Sequence, residues 1–179
     1  MEIHGQEWVP RGPLVVAANH ESAVDPFVLS SAVPRLLHYM TKEELWRYRP
    51  FAWGLDHVGA FPVGRGRGDR DALERGLRLV ERGEALAIFP QGAVRTSGPW
   101  HRGAAKLALA AGAPLLPVGI IDTDRAIAGS RVGFPRVRVV IGRPIHVERQ
   151  QPTIAAAKQL TERLRATIEA LTQYDAAVS

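Results

Sequence analysis

The chain has 179 residues, of which 46% are hydrophobic, so it is long enough for one domain with a single filled core and too short for two ordinary domains. Its formal net charge is +5, and arginine supplies all but three of its 23 cations, which favours an anionic partner. The absence of cysteine excludes disulfides, thiolate nucleophiles and cysteine-ligated metals.

Apolar runs alternate with helical patterns along the first half of the chain. Residues 13–19 and 36–40 are predicted to form buried strands, and residues 21–33 between them a short helix. A helical turn is predicted over 42–47 and a strand-like segment over 59–65. This alternation is typical of strands that run parallel and are joined by helices.

The second half continues the same alternation. Helices are predicted at 70–83 and 101–112, the second capped by Gly112, and strands at 85–90, 115–121 and 136–142. A final helix over 153–174 has one apolar stripe and is predicted to pack on the core. The pattern predicts an α/β fold in one domain over 1–179, with a mostly parallel or mixed central sheet covered by helices on both faces.

The stretch "AANHESAVDP" brings a histidine and an aspartate to the loop after the first predicted strand, where α/β folds gather their ligands. Ser22 is predicted to cap the following helix, with Asp25 as the acidic half of a capping box. Asp25 in the first helical turn would reach the ring of His20, and a neutral, oriented imidazole is what a general base requires. With six histidines and seven aspartates, this spacing arises by chance in roughly one such chain in four, so Asp25 as a simple capping residue stays open.

Three further motifs accompany this pair. The chain reads "NHESAVD" at 19–25, "GAFPVGR" at 59–65, "FPQG" at 89–92 and "LLPVGI" at 115–120. In these blocks and their order the sequence resembles the glycerophospholipid acyltransferase family, which includes the lysophosphatidic acid acyltransferases. The resemblance covers residues 1–148.

The resemblance implies transfer of a fatty acyl group to the free hydroxyl of lysophosphatidic acid or a related lysophospholipid. Acyl-CoA or acyl carrier protein would be the co-substrate, and no cofactor is implied. His20 would act as the general base that deprotonates the hydroxyl, with Asp25 orienting its ring. Arg65 and Arg95 would bind the acceptor phosphate, and backbone N–H groups around Gly92 would donate to the phosphate or the developing oxyanion.

The third block departs from the family pattern. Gln91 stands where the family usually has glutamate, and Arg95 comes one position later than the usual arginine. Gln91 is still expected in the substrate-binding site, because it keeps the size of glutamate and an acceptor oxygen. An alternative acceptor, another lysolipid or a hydroxylated molecule without glycerol phosphate, therefore stays open.

No apolar run of the sequence is long enough to span a bilayer, and no secretion signal is recognisable, so a cytoplasmic protein in peripheral contact with a membrane surface is predicted. The aromatics of "LWRYRPFAWG" would dock on the membrane or be buried against the sheet. A non-catalytic basic protein that binds anions or membranes is a weaker alternative. No nucleic-acid partner is predicted because the arginines are scattered and no nucleic-acid-binding motif occurs, and no metal is predicted because the histidines lack ligand spacing.

Overall fold

The computed structural model describes seven ranges of the chain, which are 1–42, 60–63, 68–96, 98–125, 127–128, 131–132 and 136–173. Four predictions fall outside these ranges in whole or in part. They are the helical turn at 42–47, of which only its first residue is described, the aromatic stretch at 45–54, both ends of the segment at 59–65 with Arg65, and the last residue of the helix at 153–174.

The described strands form one central sheet and one small ladder. In chain order they are β1 (Glu2–His4), β2 (Leu14–Ala18), β3 (Leu37–Lys42), β4 (Ala60–Val63), β5 (Ala85–Ile88), β6 (Leu115–Ile121), β7 (Ile127–Ala128), β8 (Arg131–Val132) and β9 (Arg138–Ile141). The central sheet has seven strands in the order β1-β9-β6-β2-β5-β3-β4, and β7 pairs separately with β8.

The sheet is mixed, as the sequence pattern predicts. Strands β6, β2, β5, β3 and β4 run parallel to one another. Strand β9 runs antiparallel to β6, and the edge strand β1 pairs parallel with β9, so β1 and β9 point the other way. The carboxyl ends of five strands therefore meet at one edge, and His20 lies just beyond β2 at that edge.

Helices cover both faces of this sheet, which confirms the predicted architecture. They are α1 (Asp25–Ala32), α2 (Gly68–Glu81), α3 (Gly103–Ala111) and α4 (Ile154–Thr172), with 3-10 turns at Gln6–Trp8 and Thr123–Arg125. Alternate residues of β2 enter two cores, one shared with α1 and the other with α2, α3 and α4. Because both faces are covered, all five residues of β2 are buried, which explains its unbroken apolar run.

The terminal helix α4 follows its sequence signals closely. The Oγ1 atom of Thr153 accepts a hydrogen bond from the N–H of Ala156 at 3.1 Å and so caps the first turn. Its apolar stripe packs into the core shared with α2 and α3, through Ala157, Leu160, Leu164 and Ile168. Within the described residues, no helix is both long enough and apolar enough to cross a membrane.

Candidate active site

The loop after β2 is fixed to the neighbouring strand β6 by Asn19. Its side-chain amide donates to the carbonyl of Ile120 at 2.8 Å, and its side-chain oxygen accepts the N–H of Ile120 at 2.7 Å. Asn19 is buried, so these bonds form in a region where an unpaired backbone group is costly. The Asn19 side chain thus continues the hydrogen bonding between β2 and β6 past the end of β2. It thereby fixes the position of the backbone just before His20.

His20 and Asp25 form the central pair of the site. The Nδ1 atom of His20 lies 2.8 Å from Oδ2 of Asp25, whose side chain is fully buried, while 16% of the His20 side chain is exposed. A carboxylate at this distance places the proton on Nδ1, which leaves Nε2 of the neutral ring free to accept a proton. The arrangement brings together the imidazole and carboxylate that the predicted general base requires, and that role remains a prediction.

Asp25 also organises the loop between β2 and α1. Its Oδ2 atom accepts hydrogen bonds from the N–H of Glu21 at 2.7 Å and from that of Ser22 at 2.8 Å, in addition to the His20 ring. Three donors on one oxygen hold the carboxylate in place and set the angle at which it meets the ring. The residue therefore does more than cap a helix.

The start of α1 differs from the prediction. The helix begins at Asp25, preceded by Val24, and the expected Ser22 cap does not form. Only half of the capping box is present, since the Ser22 N–H reaches Asp25 while the serine hydroxyl caps nothing in the described structure. The reason is that the amides of residues 21 and 22 turn toward the carboxylate before the helix starts, and Pro26 then fits the first turn, where no N–H is needed.

The segment from Phe89 to Arg95, after the parallel strand β5, contacts His20 at three points. The Phe89 ring stacks on the imidazole, with centroids 4.3 Å apart and planes 21° apart. Gln91 accepts the backbone N–H of His20 through Oε1, and the N–H of Arg95 donates to the His20 carbonyl at 2.9 Å. Phe89 was not among the predicted site residues, because the predicted strand 85–90 included it, whereas β5 ends at Ile88 and leaves Phe89 at the edge where His20 lies.

Tyr39 supports this stack from behind. Its ring stacks on Phe89 with centroids 6.3 Å apart, and its hydroxyl donates to the carbonyl of Pro26 at 2.9 Å and contacts Ser30 Oγ at 2.8 Å. Burial raises the pKa of Tyr39 well above its usual value, so the phenol stays neutral. The hydroxyl thereby joins β3 to α1 close to the His20–Asp25 pair.

Arg95 ties two loops together. Its Nε atom donates to the carbonyl of Glu21 at 3.1 Å, and Nη2 donates to that of Asp124 at 2.9 Å, while the backbone takes a left-handed φ of 54°. Two of its three guanidinium nitrogens therefore bond the protein itself. Its expected role in binding phosphate remains a prediction. Nη1, which takes no part in these two bonds, is the nitrogen that would contact the phosphate.

Gly92 lies in a tight turn. Its N–H donates to the carbonyl of Phe89 at 3.0 Å, so that amide is already used, and any donation to a phosphate or oxyanion falls to neighbouring amides. Its φ is 75°, and a Cβ added there would come within 2.7 Å of the His101 ring. Both facts require glycine at this position.

A cavity of about 490 Å³ opens beside this edge of the sheet. Asn19, Glu21 and Gln91 line one side of it, and the second half of α4 lines another. Four acidic residues line it, Glu21, Asp122, Asp124 and Glu169, and one basic residue, Arg165, which bonds Glu169 at 2.7 Å. The described lining is therefore acidic.

Five of the six predicted site residues come together at the carboxyl ends of the parallel strands. His20, Asp25, Gln91, Gly92 and Arg95 surround one loop, and Arg65 lies outside the described residues. No three histidine, aspartate or glutamate side chains converge to hold a metal ion in the part of the chain that the structure describes. Proton transfer by His20 is the chemistry that this arrangement supports.

The chain is similar to known acyltransferases in sequence. The profile of the family described as Acyltransferase matches residues 1–121. A 1-acyl-sn-glycerol-3-phosphate acyltransferase of Bacillus subtilis is 31% identical over 177 residues, which cover 97% of this chain and 85% of that protein. The enzyme of the same name from Pseudomonas aeruginosa is 28% identical, over 93% of this chain and 66% of its own length, and a chloroplastic one from Brassica napus is 28% identical, over 81% and 45%.

A solved structure has the same fold. The crystal structure of the 1-acyl-sn-glycerophosphate acyltransferase from Thermotoga maritima superimposes with a TM-score of 0.71 and covers 98% of this chain and 73% of that one, at 23% sequence identity. The resemblance that the four sequence blocks suggest is confirmed by the family match and the identity to the Bacillus subtilis protein. The chain belongs to the glycerophospholipid acyltransferase family.

Proposed function

We propose that this protein transfers a fatty acyl group from acyl-CoA or acyl carrier protein to the free hydroxyl of lysophosphatidic acid or a related lysophospholipid. The names of its relatives support the acceptor class. The observation that carries the proposal is the 2.8 Å contact between His20 Nδ1 and a fully buried Asp25 carboxylate, which presents Nε2 as a base at the ligand-binding edge of the sheet.

The reaction needs one base and no covalent enzyme intermediate. Nε2 of His20 takes the proton of the acceptor hydroxyl as its oxygen attacks the thioester carbonyl carbon. The tetrahedral intermediate collapses with loss of the thiolate, which receives the proton from the imidazolium and leaves as the free thiol. Asp25 stabilises the imidazolium that forms between these steps.

Two observations favour a second acceptor, a lysolipid or hydroxylated molecule without glycerol phosphate. The charged residues that line the cavity beside the site are four acidic residues and one arginine, and this excess of negative charge disfavours a phosphate. In addition, Arg95 uses Nε and Nη2 on carbonyl groups of the protein. The phosphate-binding alternative depends on Arg65 and Arg95, as the family resemblance implies.

We also propose that this edge makes a peripheral contact with a membrane surface at the cytoplasmic side, which two exposed apolar side chains support. Phe27, two residues after Asp25, and Val94, next to Arg95, are large apolar side chains exposed by 39% and 41%. The net charge of +5 favours an anionic lipid surface. Docking of this edge would bring a lipid hydroxyl toward His20 without the acceptor leaving the membrane.

The test is release of thiol from a long-chain acyl-CoA in detergent micelles, with and without lysophosphatidic acid. His20→Ala is expected to lower acceptor-dependent release by about two to four orders of magnitude. His146→Ala, at an exposed position outside the site, is the matched control and should retain the wild-type rate. Acceptor-dependent release that persists in His20→Ala would refute the mechanism.

Competition distinguishes the two acceptor classes. If the acceptor binds through its phosphate, glycerol 3-phosphate and inorganic phosphate should inhibit the reaction competitively against it. If neither inhibits and a phosphate-free lysolipid is acylated, the second acceptor class is correct. Parallel assays with acyl carrier protein in place of acyl-CoA identify the donor.

A further inference from the structure

We propose that Gln91 is a positioning residue for His20, and that it does not contact the acceptor. Its side-chain oxygen accepts the backbone N–H of His20, 71 residues earlier in the chain. The kinetic part of this inference rests on the proposed function, whereas its structural part concerns only the geometry of the loop.

Both ends of the Gln91 amide are directed at the protein. Oε1 bonds the N–H of His20, and Nε2 points to the carbonyl of Thr96 at 3.5 Å. The turn that carries Gln91 is closed by the hydrogen bond from Gly92 to Phe89, and the Phe89 ring stacks on the imidazole. The same turn therefore holds the backbone and the ring of His20 together.

His20 needs this acceptor because β2 ends at Ala18, two residues earlier. Beyond that end, the N–H of His20 is half-buried without a strand partner, and an N–H left unpaired there would move to find one. Its movement would carry the imidazole with it, and a displacement of about 1 Å at a reacting group costs about a hundredfold in rate. Gln91 prevents this movement through one oxygen atom.

The role also explains why glutamine is tolerated where the family usually has glutamate. Both side chains have the same length and place an acceptor oxygen at the same point, and the N–H of His20 requires only that oxygen. The negative charge of glutamate is not needed for this bond. A glutamate that bound the acyl acceptor through its negative charge would lose that interaction when replaced by glutamine.

Two variants test the inference by kinetics. Gln91→Met keeps the length of the side chain and removes the acceptor, so kcat should fall by about ten- to a hundredfold, while KM for the lysolipid changes less than about threefold. Gln91→Glu keeps the oxygen that accepts the hydrogen bond, so its kcat should stay within about threefold of the wild-type value. An increase in KM for the lysolipid with kcat retained in Gln91→Met would overturn the inference and make Gln91 an acceptor ligand.

A structural measurement needs no substrate. In protein labelled with ¹⁵N, the His20 amide of Gln91→Met should exchange with deuterium about tenfold faster than in wild type, and that of Gln91→Glu at the wild-type rate. Unchanged exchange in Gln91→Met would overturn the inference even if the enzyme is active. Absence of acyl transfer by the wild type, with the exchange result as expected, would refute the proposed function alone.

Gln6→Met is the matched control. Gln6 also bonds a distant backbone group, donating to the carbonyl of Ala32 at 2.7 Å, but at the opposite edge of the sheet. The Gln6→Met substitution should leave kcat and the deuterium exchange of the His20 amide unchanged. Equal effects of Gln6→Met and Gln91→Met would mean that a general loss of stability explains both. If Gln91→Met does not fold, Gln91→Ala provides the same comparison.

Discussion

Replacing Asp25 with asparagine tests both functions of this carboxylate. In the wild type, Oδ2 accepts three hydrogen bonds, and Oδ1 is buried without a partner among the described residues. The asparagine oxygen must take the Oδ2 position, because the amide nitrogen placed there would face three donors. The nitrogen then occupies the Oδ1 position, where its N–H groups are buried and unpaired.

The stability cost follows from these unpaired groups. A buried donor without an acceptor costs about 1–3 kcal/mol, so the free energy of unfolding should fall by about 2 kcal/mol. For a chain of this size, that change corresponds to a Tm lower by about 4–8 °C. The variant should therefore still be folded at 25 °C, and a loss of activity there does not reflect unfolding.

The catalytic cost is larger. The asparagine oxygen still accepts the proton on Nδ1 of His20, so the tautomer is retained, and what is lost is the negative charge beside the imidazolium. Two unit charges about 4 Å apart interact by about 4 kcal/mol at an effective dielectric constant near 20. The rate of acyl transfer should therefore fall by about a thousandfold.

Thiol release and thermal unfolding measure the two effects on the same sample. Asp71→Asn, an exposed substitution of the same kind on α2, is the control and should match wild type in both assays. A folded Asp25→Asn protein that retains more than a tenth of the wild-type rate would show that the charge of Asp25 does not assist the reaction. The mechanism proposed for His20 would then need another source of stabilisation.

Three further substitutions test the parts that support the site. Tyr39→Phe should lower the free energy of unfolding by about 1–2 kcal/mol in urea at pH 8. Burial raises the pKa of Tyr39 above its ordinary value of 10.0, so the stabilisation that Tyr39 contributes is complete below pH 10.0 and decreases at higher pH. The difference in the free energy of unfolding between wild type and Tyr39→Phe should therefore shrink above pH 10.0. Asn19→Ala leaves the N–H and carbonyl of Ile120 unpaired and should cost about 2–4 kcal/mol in thermal unfolding. Gly92→Ala should be destabilising because of its positive φ and the His101 ring, and less so in a His101→Ala background, where only the backbone strain of about 1–2 kcal/mol remains.

The architecture could be predicted because local signals agreed with it. The strand predicted at 115–121 is observed over the same residues, and the predicted cap Gly112 ends α3 with a left-handed φ of 64°. The five buried residues of β2 show why its apolar run indicated a sheet covered on both faces. Apolar period and glycine position are properties of a few consecutive residues, so the sequence displays them directly.

Direction and long-range contact were not predictable in the same way. Strand β1 has three residues, too few for a period to be recognised, and nothing in the alternation of β9 encodes that it runs antiparallel to β6. Similarly, the sequence gives no sign that the guanidinium of Arg95 reaches Glu21, 74 residues away, because this contact depends on which strands are neighbours. The pair of His20 and Asp25 could be predicted because only four residues, in the loop before α1, separate them in the chain.

The order of strands explains why separate motifs act on one histidine. Strands β2 and β5 are parallel neighbours, with Ala17 opposite Ile88, so the loops that follow them leave the sheet side by side. A residue after β5 can therefore reach the backbone of His20, whereas in an antiparallel pair the two loops would lie at opposite edges. For this reason, the effect of a substitution after β5 on catalysis should depend on which His20 atom it contacts. Phe89 acts on the ring and Gln91 on the N–H, and because both contacts fix one residue, losses from the two positions should not be additive.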